Sequence, residues 1–371
     1  MKVTFERSVF ASTLSFVRNA IPKKEVEPVL SNFLLRTLDD GSGRVEIVAT
    51  DMDLMSVAYV KATVEEPGVI TIPGSKLLSL VAKLTGETIT IATEGTSVKI
   101  SCGRYNGEFK TISHEDYPKV YEITQTERLV SLPRESLLLG FKRIDFAVNE
   151  DEARKQLMAV QLSKKGMVAT NGKVTAIFKE PFNVEELCIS SNCLKDLTAV
   201  LAASPVETVD IFEEEAYLVF KFADNIFFTR KTQVNFPEVF NKIDAPTEKS
   251  NTQILKFNVK ELKSVLQRVL LTAAEDTRLV VFTLLTDDRM KISARDNRDF
   301  YSEEDLAVSI SGIPLPEGDA KYEVGFNYDF LLEILSKMAG EDIEFRLADN
   351  LRIPVRIEEG KTVYLLMRSV I

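Results

Sequence analysis

The chain has 371 residues, 45% of them hydrophobic and 27% charged, and a net charge of −10. That length predicts two or three domains, and the composition excludes a disordered polymer. No apolar run reaches the roughly 18–20 residues of a membrane helix. The charged start, Met1-Lys2-Val3-Thr4-Phe5-Glu6-Arg7, does not suit a signal peptide. The expected location is therefore cytoplasmic, with no membrane partner.

In chain order, a strand at Val3 leads into a predicted helix near 7–20, then a hairpin closing at Val48-Ala49-Thr50-Asp51. A second helix is expected over Lys76-to-Leu84, followed by strands up to Asp116-Tyr117-Pro118. The order then repeats. A strand at Leu132 precedes a helix near 134–147, a hairpin ends at Val168-Ala169-Thr170-Asn171, and a helix spans Leu194-to-Ala203. Strands such as Tyr217-to-Phe222 follow, before Asn235-Phe236-Pro237. A third unit opens at Phe257, continues in a helix near 259–273, and reaches Ser293-Ala294-Arg295-Asp296. Its second helix, Phe330-to-Met338, is capped by Asn327, and a strand covers Thr362-to-Leu366. Phe5, Leu132 and Phe257 are 127 and 125 residues apart, and Thr50, Thr170 and Arg295 are 120 and 125 apart. Three units of this kind, each with two helices packed on antiparallel sheet, make an α+β protein. Polar joins place the boundaries at 1–125, 126–249 and 250–371.

Candidate chemistry is sparse. The single histidine, His114, stands in a polar loop with no nucleophile motif beside it. Cys102, Cys188 and Cys193 build neither a disulfide framework nor a zinc site and read as buried thiols. Asp51-Met52-Asp53 has the spacing of a cation-binding pair, but the matching Asn171-Gly172-Lys173 and Asp296-Asn297-Arg298 cannot repeat the ligation. No metal or cofactor is expected, and no catalysis. Glu213-Glu214-Glu215 reads as a solvated turn. Charge is divided unevenly. The six predicted helical segments carry seven more basic than acidic residues, which leaves −17 for the rest of the chain. Basic helices in an acidic body suit sequence-independent contact with duplex DNA.

The ordered matches run the length of the chain: Met1-Lys2-Val3-Thr4, Pro28-Val29-Leu30-Ser31-Asn32, Ala169-Thr170-Asn171-Gly172, Tyr117-Pro118, Phe236-Pro237, Val324-Gly325-Phe326-Asn327 and Tyr364-Leu365-Leu366-Met367. In this order they resemble the bacterial DNA polymerase III β subunit, the sliding clamp family. The resemblance implies three clamp domains per chain and a head-to-tail homodimeric ring around duplex DNA. It also implies partners carrying a clamp-binding linear motif, among them the polymerase III catalytic subunit and the clamp loader. By the same resemblance DNA would meet Arg18, Lys23, Lys24, Lys76, Lys142, Arg143, Lys260 and Lys263. The ring joint would use Phe109 against Leu270 and Leu271. The partner-peptide pocket would comprise Leu157, Thr170, Gly172, Lys173, Val174, Thr175, Pro237, Lys242, Ile243, Pro354, Leu365 and Met367. Two departures stand out. The family's Thr-Asp-Gly-His-Arg-Leu is here Thr170-Asn171-Gly172-Lys173-Val174-Thr175, and its Met-Pro-Met-Arg-Leu ending is Met367-Arg368-Ser369-Val370-Ile371. The alternative is thus a divergent clamp-like binding module with altered peptide specificity, an accessory or mobile-element paralogue.

Overall fold

The computed structural model describes the chain apart from residues 23–26, 126, 233, 241–251, 287, 297, 299, 312–321, 349 and 351. Lys23, Lys24, Lys242 and Ile243 therefore lie outside the described residues. Six α-helices occur among the described residues: α1 (Arg7–Val17), α2 (Gly74–Val81), α3 (Arg134–Ile144), α4 (Ser191–Ala203), α5 (Val259–Val269) and α6 (Tyr328–Lys337). All six fall on the expected segments. α5 and α6 start where Asn258 and Asn327 accept two backbone N–H groups each, at 3.0–3.1 Å and 3.0–3.4 Å. Such a cap stabilises a helix start by about 1 kcal/mol. α1, α3 and α5 each tighten into a single 3-10 turn, at Arg18–Ala20, Asp145–Ala147 and Leu270–Thr272.

The chain forms two compact units, one of residues 1–139 and 192–232, the other of 140–191 and 233–371. The first contains one twelve-stranded sheet. One third of it, the first half-sheet, is built from β2 (Asn32–Thr37), β3 (Arg44–Thr50), β4 (Leu54–Glu66) and β5 (Val69–Pro73). On one side of that half-sheet β4 pairs with β1 (Lys2–Glu6), which continues through β6 (Thr88–Glu94) and β7 (Ser97–Cys102) to β8 (Tyr105–Lys110). On the other side β4 pairs with β16 (Asn225–Arg230), which leads to β15 (Tyr217–Phe222), β14 (Thr208–Glu213) and β9 (Val130–Pro133). The β4–β16 register sets Val57 opposite Ile226 and Met55 opposite Phe228. Helix α1 buries Phe10, Leu14 and Val17, and Phe10 stacks on Phe5 of β1 at 4.3 Å.

The second unit repeats that arrangement. β10 (Ala159–Ser163), β11 (Gly166–Thr170), β12 (Val174–Phe178) and β13 (Leu187–Ser190) form the half-sheet, and β12 pairs with β25 (Thr362–Leu366). Beyond β25 lie β24 (Val355–Glu359), β23 (Asp342–Ala348), β17 (Thr252–Asn258) and β21 (Ser309–Ser311). A separate four-stranded sheet holds β18 (Leu279–Thr286), β19 (Arg289–Arg295), β20 (Tyr301–Ala307) and β22 (Glu323–Asn327). Helix α5 buries Leu262, Val265, Leu266 and Val269, the 3.6-residue stripe read from sequence. Phe257, Phe282, Phe326 and Phe345 meet edge to face at 5.2–6.0 Å in the same core.

Corresponding half-sheets thus recur three times. In the first two cases a half-sheet ending in β4 or β12 is completed by β16 or β25. The third half-sheet ends at β20, which pairs only with β19 among the described residues, and β8 likewise pairs only with β7.

The hairpin tips show why the sequence repeats. Thr50 donates its hydroxyl to the Leu54 carbonyl at 2.7 Å, and Asp51 Oδ1 accepts from the N–H groups of Asp53 and Leu54. Thr170 and Asn171 make the same bonds to Val174 and to the N–H groups of Lys173 and Val174. Asp51 is therefore a turn former, and Asp53 is paired with Arg230. Among the described residues no group of three or more His, Cys, Asp or Glu could hold a metal. Both tips need a residue at positive φ: Gly172 at +85°, but Met52 at +79°. Met52 is exposed, so Met52→Gly loses little burial and removes a strained non-glycine conformation. The substitution should raise unfolding free energy by about 1 kcal/mol, measured by urea denaturation.

Candidate functional site

Of the predicted pocket residues, those described all belong to the second unit. Thr170 and Thr175 are cross-strand partners whose hydroxyls lie 2.8 Å apart. Thr175 is in turn opposite Leu365 of β25, and Val174 opposite Leu366. The chain after β25 stays with the hairpin: the Met367 N–H donates to the Lys173 carbonyl at 2.9 Å. Phe236 is buried against Ala159, Val168, Ile177 and Val363, with Leu365 packed on the same cluster. Pro237 follows it, half-buried. Thr170, Gly172, Lys173, Thr175, Leu365 and Met367 therefore lie together, with the Phe236-Pro237 turn docked on the sheet face, whereas Val174 is buried on the opposite face beside Leu366 and is not part of this surface. Leu157 is buried at the end of a 3-10 segment, Glu152–Leu157, whose Arg154 reaches toward the Asn171 carbonyl at 3.5 Å. Pro354, half-buried, immediately precedes β24.

Four contributors lie outside the residues predicted for the pocket. Asn171 shapes the hairpin through its side-chain oxygen. Arg278 (φ +52°) and Phe330 line a cavity of about 610 Å³ beside Asn171, together with Phe146. Arg278 is held there by an ion pair with Asp329. The Asn-Gly pair was the only sequence signal for this geometry. Phe146 also packs on Tyr364, 5.8 Å between rings, and burial pushes the Tyr364 hydroxyl up to about 12. Cys188 lies beside Phe236, and burial raises its thiol to about 11, so it stays protonated and inert.

The basic residues expected to meet DNA divide into two groups. Arg18, Lys76, Lys142 and Lys260 are exposed and Lys263 is half-buried, and none of the five makes an ion pair among the described residues. Arg143 differs. Its guanidinium bonds Glu359 at 2.7 Å and the Lys337 carbonyl at the end of α6, with only 22% of the side chain exposed. Arg7, Arg134 and Arg268 are similarly engaged, with the Gly86 carbonyl, the Val206 and Leu201 carbonyls, and Glu304. A charge count cannot separate these groups; the hydrogen bonds do.

At the predicted joint, Leu271 is 85% exposed, Leu270 is half-buried and Phe109 is half-buried on β8. Phe300 and Tyr301, at the start of the open strand β20, are also exposed and were not anticipated. Glu214 also departs from expectation. Its carboxylate accepts the Thr124 and Gln125 N–H groups at 2.9 Å and the Thr124 hydroxyl, tying the end of the first repeat to the β14–β15 turn. Partial desolvation raises the Glu214 carboxyl, but the bonds from Gln125 and Thr124 outweigh it and hold it below its ordinary range.

Family comparison agrees with the fold. Residues 1–121 match the model of the DNA polymerase III beta subunit N-terminal domain, and residues 246–366 that of its C-terminal domain. The beta sliding clamp of Synechococcus elongatus is 25% identical over 99% of this chain and 98% of its own length. That of Vibrio cholerae is 24% identical over 99% of each. Among solved structures, the DNA polymerase III beta subunit of Thermotoga maritima superposes with a TM-score of 0.85 at 23% identity, covering 100% of this chain and 99% of its own. A Eubacterium rectale protein described as a putative beta subunit gives 0.84 at 18%, covering 100% of both chains. The matched domains at both ends, and the near-complete coverage of these relatives, place this chain in the DNA polymerase III beta subunit family, the sliding clamps.

Proposed function

We propose that this chain works as a non-catalytic, cytoplasmic sliding clamp: a homodimeric ring of three repeats per chain, 1–125, 126–249 and 250–371, that encircles duplex DNA and tethers the replicative polymerase. The observation that carries this reading is the pair of unfilled sheet edges. Wherever a following repeat exists, β4 and β12 are completed by a strand from it. Among the described residues the third half-sheet lacks that strand and the first repeat's β8 lacks its neighbour, so two copies joined head to tail satisfy both edges twice. Counting from the hairpin turns, where Cys102 faces Tyr105 and Glu359 faces Thr362, Phe109 corresponds to Leu366. Leu366 faces Val174, whose counterpart in the third repeat is Phe300. The expected register therefore sets Phe109 of one copy against Phe300 of the other. Leu271 takes the place of Phe146, the middle residue of the preceding 3-10 turn.

Arg18, Lys76, Lys142, Lys260 and Lys263 supply unpaired positive charge for the DNA backbone, and a closed ring needs no more than weak contacts. Clamp loaded on nicked circular DNA should stay bound and should be released when the circle is linearised. Binding to short open duplex should be weak and should fall steeply with salt. Tight, salt-resistant binding to short linear duplex would sink this reading.

The surface of Thr170, Gly172, Thr175, Leu365 and Met367, with Leu157, Pro237 and Pro354 around it, is proposed to take the linear motif of the polymerase, the loader and other partners. Lys173 and the Met367-to-Ile371 ending favour the second reading, a paralogue with shifted peptide preference, with Lys173 selecting an acidic residue. Methionine suits a site of several partners. Met367→Asp, at a residue 37% exposed, should cost about 2 kcal/mol of peptide affinity yet leave retention on circular DNA intact. Peptide titration beside the retention assay decides it; unchanged affinity would make Met367 a packing residue only.

A further inference from the structure

One sheet face is built three times, and among the described residues an aromatic side chain covers it twice. Leu34 faces Val48 and Thr71, Gln161 faces Val168 and Cys188, and Val281 faces Ser293 and Gly325. These registers mark equivalent positions of the three half-sheets. Over the first, Tyr117 is buried, its hydroxyl donating to the Val48 carbonyl at 3.2 Å, with Ile112, Val120 and Ile123 around it. Over the second, Phe236 is buried with Val234, Val239 and Phe240 around it. Each cover is an aromatic side chain followed by proline: Tyr117-Pro118 and Phe236-Pro237.

The third face differs. The residues that follow β25, Met367 to Ile371, hold no aromatic side chain. They reach the edge of the face: the Ser369 N–H donates to the Gly325 carbonyl at 2.8 Å, and a Cβ on Gly325 would lie 3.1 Å from Ile371 Cγ1. Beyond that contact a groove of about 520 Å³ remains, lined by Leu279, Val281, Leu285, Lys291, Arg295 and Tyr301 among others. Leu285 and Tyr301 are 39% and 47% exposed. Lys291 is paired with Glu303, whereas Arg295 lies 5.4 Å over the Tyr301 ring and makes no ion pair among the described residues.

We propose that this groove docks an extended peptide of a partner protein, whose aromatic side chain fills the place that Tyr117 and Phe236 fill in the first two repeats and whose flanking carboxylate meets Arg295. The chain's own cover supplies the pattern, since Tyr117 follows Glu115 and Asp116. An aromatic ring brings large apolar area at low entropic cost, and a carboxylate facing a guanidinium fixes its direction. The site is distinct from the Met367 surface, and its rim residue Tyr301 lies on β20, the strand assigned above to the ring joint.

The probe is a fluorescent peptide of residues 111–120, titrated into the full-length chain and followed by anisotropy. Saturable binding is expected, weakened about tenfold or more when the peptide carries Tyr117→Ala. Val281→Asp and Arg295→Glu in the protein should each weaken it by a similar factor. Met367→Asp should leave it unchanged, which separates this groove from the linear-motif surface. Arg295 is exposed, so its substitution keeps the test intact if Val281→Asp disturbs folding. The proposal is overturned by absence of binding, by equal binding of the Tyr117→Ala peptide, or by indifference to Arg295→Glu. It is also overturned if Val281→Asp, still folded, changes the sedimentation of the chain, for then a second copy covers the face.

Discussion

A chain carrying Leu270→Lys and Leu271→Lys should sediment as a folded particle of 41.6 kDa, half the mass expected of the parent dimer. Within its own chain Leu271 is almost fully exposed, so a lysine there costs little and the fold should survive. At the seam the same side chain would be enclosed between apolar neighbours, where an unpaired charge costs several kcal/mol. Each 1.4 kcal/mol is a factor of ten in dissociation constant, so two such charges should remove the dimer at micromolar concentration. Phe146 shows what a seam residue of this kind does, since it packs on Tyr364 from the equivalent turn. Sedimentation velocity with circular dichroism gives the readout. A variant that stays dimeric, or one that unfolds, shows that these leucines are not at the joint.

Arg143→Ala should destabilise the second unit by about 3 kcal/mol, the usual result of stripping one partner from a largely buried ion pair. Glu359 accepts from Arg143 and from the N–H groups of Ala339 and Gly340, at 2.7 and 2.8 Å, just past the end of α6. Burial pushes the Glu359 carboxyl up, but the Gly340 and Ala339 N–H groups and the Arg143 guanidinium outweigh it and hold it below its ordinary value of 4.5. A depressed carboxyl stabilises the fold at pH above that value and stops doing so as pH falls through the folded pKa. The stability gap between parent and Arg143→Ala should therefore narrow on acidification below pH 4.5. Lys142→Ala, on the neighbouring exposed position, should leave stability unchanged and weaken binding to short open duplex instead. Urea denaturation across pH supplies the comparison; equal stability of Arg143→Ala and parent would contradict it.

The fold was largely legible because its signals are local. Helical spacing located α5, and Asn327 marked the start of α6. The Thr-Asx hairpin tips gave the repeat its period. What could not be read depends on partners distant in sequence. Nothing in Lys142-Arg143 says that the first is free and the second bound to Glu359, 216 residues away. Glu214 read as a solvated acid because its acceptors' partners, Thr124 and Gln125, lie 90 and 89 residues upstream. The compact units follow neither the first nor the second join between repeats, because sheet pairing at β4–β16 and β12–β25 binds halves of the central repeat to its neighbours.

That exchange of half-sheets has a consequence for synthesis. The Tyr59 N–H donates to Asn225, 166 residues later in the chain. At roughly 5–20 residues per second on the ribosome, the edge of β4 waits on the order of 10–30 s for its neighbour. During that interval a mostly apolar strand, Leu54–Glu66, presents unpaired backbone to other nascent chains on the same message. Its far end carries charge, at Lys61, Glu65 and Glu66, which disfavours pairing with a like strand, while the near end, Leu54 to Ala58, carries none.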